Sequence, residues 1–469
     1  MWGKASPRER RRLLAFEIVD FGLQVVAQGA RAGCNAALLA ECSYGVGVPS
    51  SLAFEGKLPA LSGVSASRCK NVVRWVRLHR YLSVTSRTTR MPRVLLLHAS
   101  VGTGHKRAAE ALAAAFARRQ PGEVRVEDVL DHTSRLFRVA YARSYLELTD
   151  RAPLVWGYFY TQSNVDPNLA EFTNNLRRIV ESIGTTGLKD LLRAFLPQVI
   201  ICTHFLPMEL LVRYRRSAQL TQPIYCVITD YAAHTFWTYT EIDGYFVGDT
   251  QTRDQLIARG VSARQICVSG IPVDPQIAEP KDPVEIRTRY GLPVEGRIIT
   301  LFGGGVDDEH VRVIVQGLKR SEVEATLIVV AGRNPTLVEH LAEERSTPRL
   351  NLRLYGYVNF VDDLIIASDL VITKAGGLIV SEVLARGVPL VVIDPIPGHE
   401  EWNADYVVRS CAGVQLRMAE SVPATVERLL NRPRLLAEMR ENARCVGRPR
   451  AAAVIAEKVI SDFNHRRYH

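Results

Sequence analysis

The sequence predicts an α/β protein of two doubly wound, Rossmann-like domains facing each other across a cleft, and three observations carry that expectation. From Met91 onward, short apolar runs alternate with helical patterns. A proline-rich stretch, Gly270 to Pro293, with five prolines, interrupts the alternation, which then restarts. Continuously apolar strands are buried on both faces, so they call for a parallel sheet covered by helices.

In the first domain, residues 91–275, the runs Val94–His98, Val124–Val129, Val199–Thr203, Ile224–Thr229, Gly244–Val247 and Ile266–Val268 read as strands, with helical patterns between them. In the second, residues 276–450, they are Arg297–Phe302, Ala325–Val330, Leu352–Tyr355, Leu370–Thr373 and Val388–Ile393. Residues 451–469 contain a last helix, Ala451 to Phe463, expected by analogy of architecture to pack back on the first domain.

Composition narrows the class. At 469 residues, with 47% hydrophobic and 23% charged side chains, the chain can bury two ordinary cores. Its eight cysteines have no paired or metal-type spacing, and several sit in apolar runs, which suggests buried thiols in a reducing compartment. No stretch approaches the ~20 apolar residues of a membrane span, and the N-terminus does not read as an export signal. Of the net charge of +10, nine units lie in residues 1–90, where fourteen Lys/Arg face five Asp/Glu. The remaining body is close to neutral, so no basic stripe for nucleic acid is expected. The leader itself reads as a basic, disordered or non-native extension. Its one helical candidate, Arg10 to Ala30, has an amphipathic membrane-surface segment as the competing reading.

Ligands of doubly wound sheets bind beyond the carboxyl ends of the strands. After the first strand comes Val101-Gly102-Thr103-Gly104-His105, opening an alanine-rich helix. The spacing is not that of a Walker loop, and a dinucleotide G-x-G-x-x-G fails at Arg107; Glu127-Asp128 at the expected distance weakens hydride chemistry without excluding it. Amides at that helix start suit an anion or a developing negative charge. In the second domain, one strand runs into Gly303-Gly304-Gly305, one into Lys374-Ala375-Gly376-Gly377, and one into Asp394 to Asn403. The glycines let a diphosphate reach the amides opening the next helix, and Glu382, one turn later, can accept hydrogen bonds from a ribose diol.

TKAGGLIVSEVLARGVPLVVIDPIPGHEEWNADYVV resembles the donor-site signature of the glycosyltransferases that make monogalactosyldiacylglycerol and of the processive diacylglycerol glucosyltransferases, which are similar to the enzyme that adds N-acetylglucosamine to lipid I. The resemblance runs from about Pro92 to the C-terminus and includes the G-x-G-H turn, THFLP at Thr203–Pro207, TDYAAHTFW at Thr229–Trp237 and VSGIPVDP at Val268–Pro275. It implies the GT-B fold, with UDP-glucose or UDP-galactose on the second domain, a lipid such as diacylglycerol on the first, and no cofactor beyond the donor. By motif match, Gly303, Gly304, Gly376 and Gly377 would line the diphosphate. Tyr357 and Val358 would offer backbone to the base, Glu382 would take the ribose, and His399, Glu400 and Asn403 would reach the hexose. Gly104, His204, Asp230, His234 and Trp237 would shape the acceptor side. The family's PGQE stands here as Pro397-Gly398-His399-Glu400, which leaves the hexose open.

Moving a hexose to an alcohol in one displacement requires a base near the hydroxyl and positive potential at the departing diphosphate. No DxD metal pair ends a strand, so helix dipoles and amides are expected to supply the potential, with no metal. His105, whose side chain ordinarily titrates near ~6.5, is the expected base, with inversion as the outcome. No sequence neighbour identifies what orients it. Bland alternatives stand beside these roles: His105 as a helix cap, Glu382 as an exposed helix residue, Lys374 as a solvated charge, and His204, Asp230, His234 and Trp237 as buried structural groups. The run Arg151–Asn164, with Trp156 and three further aromatics, is either core or an acceptor-side membrane contact. The expected location is the cytoplasm, peripheral on the inner face of the cell membrane. A UDP-sugar epimerase and a non-catalytic nucleotide-sugar sensor are the competing function classes.

Overall fold

The computed structural model describes residues 91–100, 102–119, 122–135, 137–139 and 186–466. The basic extension over residues 1–90 and the aromatic run with Trp156 lie outside the described residues. The first sheet holds β1 (Val94–His98), β2 (Val124–Asp128), β3 (Val199–Cys202), β4 (Ile224–Val227), β5 (Gly244–Val247) and β6 (Ile266–Val268) in the order β2-β1-β3-β4-β5-β6. All neighbours are parallel, and β1 is in register with both flanking strands, Val94 opposite Val124 and Val199. Every residue of β1, β3, β4 and β5 is buried, as strands covered on both faces must be. The covering helices are α1 (Gly104–Arg119), α2 (Thr186–Phe195), α3 (Phe205–Arg216) and α4 (Thr250–Ala258). Helix α1 buries Ala108, Ala109, Leu112, Ala115 and Phe116 on one face and ends in Arg118 and Arg119, where positive charge suits the helix dipole.

The proline-rich connection is not merely a linker. It contains α5 (Pro283–Arg289), which starts with Asp282 accepting a hydrogen bond from the Val284 N–H and with proline at its first position. The second sheet holds β7 (Ile298–Phe302), β8 (Ala325–Val330), β9 (Leu350–Tyr355), β10 (Leu370–Lys374), β11 (Leu390–Ile393) and β12 (Gly413–Leu416) in the order β12-β11-β10-β7-β8-β9, again all parallel. Strand β12 was absent from the sequence expectation: it is a sheet edge whose residues, Gly413 apart, are only half-buried, so its apolar signal is weak. The helices are α6 (Asp308–Arg320), α7 (Pro335–Leu341), α8 (Val361–Ala367), α9 (Gly377–Ala385), α10 (His399–Arg409), α11 (Val422–Leu430) and α12 (Pro433–Val446).

In each sheet the strand order reverses beside the first strand, between β1 and β3 and between β7 and β10. Such reversals open a crevice at the carboxyl ends of the strands. The loops after β1, β7 and β10 therefore stand at the two crevices. The two halves also share apolar contacts, because Ala108 and Tyr231 of the first belong to the core around Phe302, Leu378 and Tyr406 of the second.

The last helix, α13 (Ala451–Arg466), lies on the first sheet. Its Ala452, Ile455, Ala456, Val459 and Phe463 share one core with Val94, Leu96, Leu112, Phe116 and Tyr225. Polar contacts fix the same face: Arg466 with Asp243 at 2.8 Å, the Tyr225 hydroxyl donating to Asp462 at 3.3 Å, and Arg119 with Glu457. Ile455 is fully buried there, so Ile455→Ala is expected to lower stability by about 2–5 kcal/mol. Chemical unfolding checks this, and a loss under about 0.5 kcal/mol, the range of surface substitutions, would show that α13 is not part of that core.

Candidate active site

The loops beyond the two sheets enclose a cleft of about 520 Å³. From the first half come Gly102 to His105 after β1, His204 and Phe205 after β3, and Thr229, Asp230, His234, Phe236 and Trp237 after β4. From the second come Gly304 and Gly305 after β7, Gly332 after β8, Tyr357 and Val358 after β9, Thr373 and Lys374 at the end of β10 with Gly376 to Leu378 beyond it, and Ile396 and Glu400 after β11.

His105 stands in the first turn of α1, and the structure supplies the orienting group that sequence reasoning missed. Its Nδ1 lies 2.7 Å from the carbonyl oxygen of Thr203. A carbonyl only accepts, so in the neutral ring the proton is on Nδ1 and the basic lone pair is on Nε2. Thr203 returns a second bond, its hydroxyl donating to the His105 carbonyl at 2.9 Å, while the Thr229 hydroxyl oxygen lies 3.0 Å from the same Nδ1. His204 packs edge-on to His105 with ring centres 4.5 Å apart. Burial, helped by His105 and His98, holds the His204 pKa well below the usual imidazole range, so this neighbour is neutral. Its Nδ1 accepts from the Leu206 N–H and caps α3.

Opposite His105, α9 opens at Gly376 and Gly377 with no side chain capping its first turn, so its first amide N–H groups are turned to the cleft end of the helix. The two helix starts face each other closely: a Cβ on Gly104 would lie 3.5 Å from Leu378. Gly377 is where the halves meet. A Cβ there would lie 2.0 Å from the Thr229 carbonyl oxygen, so no other residue fits without moving backbone.

Two expected donor contacts stand elsewhere, and a third, Glu382, is covered by Arg107. Gly303 faces the core, where a Cβ would meet Leu337 at 3.0 Å and its N–H donates to Val330, so Gly304 and Gly305 are the residues on the cleft. Asn403 is fully buried and holds the first half instead of lining the cleft. Its Oδ1 accepts from the Tyr231 N–H at 2.8 Å, and its Nδ2 donates to Asp230 and to the Ala375 carbonyl, each at 2.9 Å. Glu382 is 3% exposed, behind the lining, with Oε1 accepting from Arg107 and Oε2 without a hydrogen-bond partner.

The remaining expected residues fall as follows. Gly104, His105, His204, Asp230, His234, Trp237, Gly304, Tyr357, Val358, Gly376, Gly377 and Glu400 reach the cleft. His234 is buried there and caps the turn Thr235–Trp237 through a hydrogen bond from the Phe236 N–H. Tyr357 is exposed, with the Arg333 guanidinium 4.9 Å from its ring centre. Glu400 accepts from the Ile396 N–H at 2.7 Å and lies 3.7 Å from Lys374. His399 opens α10. Trp156 lies outside the described residues. Sequence reasoning missed Thr203, Arg107, Phe205, Phe236 and Tyr231. The available signal was the threonine or tyrosine inside THFLP and TDYAAH, shortly after β3 and β4.

These features define the class: a GT-B glycosyltransferase, with an oriented imidazole on one Rossmann-like half and an uncapped glycine helix start on the other. Residues 105–273 match the family model described as monogalactosyldiacylglycerol (MGDG) synthase, and residues 298–458 match the glycosyltransferase family 28 C-terminal domain. The chain belongs to this family of MGDG synthase-type, family 28 glycosyltransferases. Processive diacylglycerol beta-glucosyltransferases of Bacillus cereus (strain 03BB102) and Bacillus anthracis (strain CDC 684 / NRRL 3495) are each 29% identical to it over 380 residues, 80% of this chain and 94% of theirs. In fold it is similar to S. aureus MnaA solved with UDP (TM-score 0.52, 15% identity, 80% of this chain and 97% of that one). It is also similar to Acinetobacter baumannii MurG (TM-score 0.50, 15% identity, 79% and 100%).

Burial pushes the Glu382 carboxyl up to about 7; Arg107 opposes the shift, and Asp362 and Asp274 add to it. A carboxyl raised on folding favours the native state while protonated, so its contribution is present at acid pH and is lost as pH rises through about 7. Thermal unfolding from pH 5 to pH 8 is expected to show the wild type losing stability relative to Glu382→Gln as pH rises. A constant difference would show that Glu382 does not titrate in this window.

Proposed function

We propose that this chain transfers glucose from UDP-glucose to diacylglycerol, with inversion and without a metal, while associated peripherally with the cytoplasmic face of the cell membrane. The observation that carries the reading is the oriented His105 facing the α9 helix start across one cleft. The acceptor hydroxyl loses its proton to Nε2 of His105 as its oxygen bonds to the anomeric carbon. The bond from that carbon to the diphosphate breaks, and UDP leaves with the electron pair. The amides of Gly376, Gly377 and their neighbours, with the Gly304-Gly305 loop, stabilise the charge that grows on the diphosphate. A single displacement on α-linked UDP-glucose makes a β-glucoside, the linkage in the names of the Bacillus relatives. The acceptor side offers an apolar wall, where Phe205 stacks on Phe236 at 5.3 Å and meets the edge of Trp237 at 6.1 Å. Such a wall is compatible with the apolar chains of a lipid acceptor. Among the described residues, no helix is long and apolar enough to cross a membrane.

Labelled UDP-glucose and UDP-galactose, incubated with the protein and diacylglycerol liposomes, test the reading. Glucosyl transfer into the lipid, undiminished by a chelator, is expected. His105→Ala should lower turnover by ~10²–10⁴ while leaving UDP-glucose affinity nearly intact. Rearrangement of the UDP-sugar without lipid, or binding without turnover, would overturn the proposal, and unchanged turnover in His105→Ala would remove the base.

A further inference from the structure

We infer that Arg107 is a donor-binding residue supplied by the acceptor half: its guanidinium occupies the ribose position on Glu382 in the closed cleft and passes to the diphosphate when the donor enters. The inference rests on the donor site proposed above and concerns a residue for which the motif resemblance carries no role. Arg107 lines the same cleft as Gly376 and Gly377, so it borders the space where the donor is proposed to bind. It comes from α1, whereas the carboxylate that it meets is 275 positions away on α9.

The pair is half-made. Arginine and carboxylate in a settled structural bridge commonly share two parallel bonds. Nearby, Arg386 holds Asp362 in that way, through Nε at 2.6 Å and Nη2 at 2.7 Å. Arg107 instead engages Oε1 of Glu382 alone, leaving Oε2 buried without a partner. A buried carboxylate with an unsatisfied oxygen is costly, and this one sits beside a side chain that is 44% exposed on the cleft side. A ribose diol presents two hydroxyl donors and can satisfy both oxygens. Exchanging the guanidinium for the diol therefore completes the hydrogen bonding of Glu382 and releases a cation.

The released charge has a use. The lysine and arginine side chains on the described cleft lining are Arg107 and Lys374, and Lys374 stands 3.7 Å from Glu400. The α9 amides bear only partial charges, whereas a departing UDP gains a full negative charge. A guanidinium, which presents five donors in a planar fork, matches phosphate oxygens better than any other side chain in the cleft.

The test compares UDP with uridine by titration calorimetry on the wild type and Arg107→Met, which keeps the apolar stem. The expected result is a loss of roughly 10- to 100-fold in UDP affinity for a missing charged contact, with uridine binding unchanged or tighter because Glu382 is no longer occupied. Unchanged UDP affinity, or equal weakening of UDP and uridine, would overturn the inference; in the second case Arg107 merely holds Glu382 in place. Arg107→Gln gives the same comparison if the Met variant does not fold. A wild type that binds neither UDP nor uridine would overturn the donor site itself and the inference with it, whereas wild-type binding with an unaffected Arg107→Met overturns the inference alone.

Discussion

The Thr229 carbonyl oxygen rests 2.0 Å from the point where a side chain on Gly377 would begin, and the working geometry of the molecule depends on that contact. It lets the turn after β4 lie directly on the start of α9. Asn403 then fixes the turn by binding Asp230 and the Tyr231 backbone, and Tyr231 stacks on Tyr406 at 3.8 Å while its hydroxyl meets Ser381 at 2.9 Å. The same turn reaches back to the other side of the cleft, because the Thr229 hydroxyl touches Nδ1 of His105. Three consecutive residues thus connect the helix start proposed to hold a diphosphate with the imidazole proposed to take a proton.

The electrostatic consequence is that two helix starts, α1 and α9, aim their positive ends at one volume. Peptide dipoles cost no reorganisation when charge develops, because the fold has already oriented them. The full charges nearby are held in check by acids: Arg107 by Glu382 and Lys374 by Glu400. Burial in a half-satisfied pair leaves Glu382 with a carboxyl that is readily neutralised, and the cleft can change its charge by exchanging partners instead of moving a domain core.

Much of the fold was legible because the inner strands of both sheets are buried on both faces and so read as apolar runs. The edge strands β2, β6, β9 and β12 are half-buried, and of these β12 was not read from the sequence. The helix within the proline-rich connection carried its own marks, aspartate then proline at 282–283, inside a stretch read only as an interruption of the alternation. At the candidate site, strand-end position and residue type placed His105, Gly376 and Gly377 at the cleft. Partners could not be read in the same way. An asparagine amide announces three hydrogen-bonding groups but not where they go, and those of Asn403 go to the opposite half. Glu382 has the spacing of an outward residue on its helix, yet Arg107, far away in the chain, covers it. Thr203 orients His105 through its backbone carbonyl, a group that every residue carries and that side-chain identity therefore does not reveal.

The most direct test of the central claim is the tautomeric state of His105, read from nitrogen-15 NMR of histidine-labelled protein, in the wild type and in Asn403→Ala. If the docked turn and the Thr203 carbonyl together position the base, the wild-type ring carries its proton on Nδ1 and the preference weakens when Asn403 no longer holds the turn. A wild-type ring protonated on Nε2, or a preference untouched by loss of Asn403, would contradict the account.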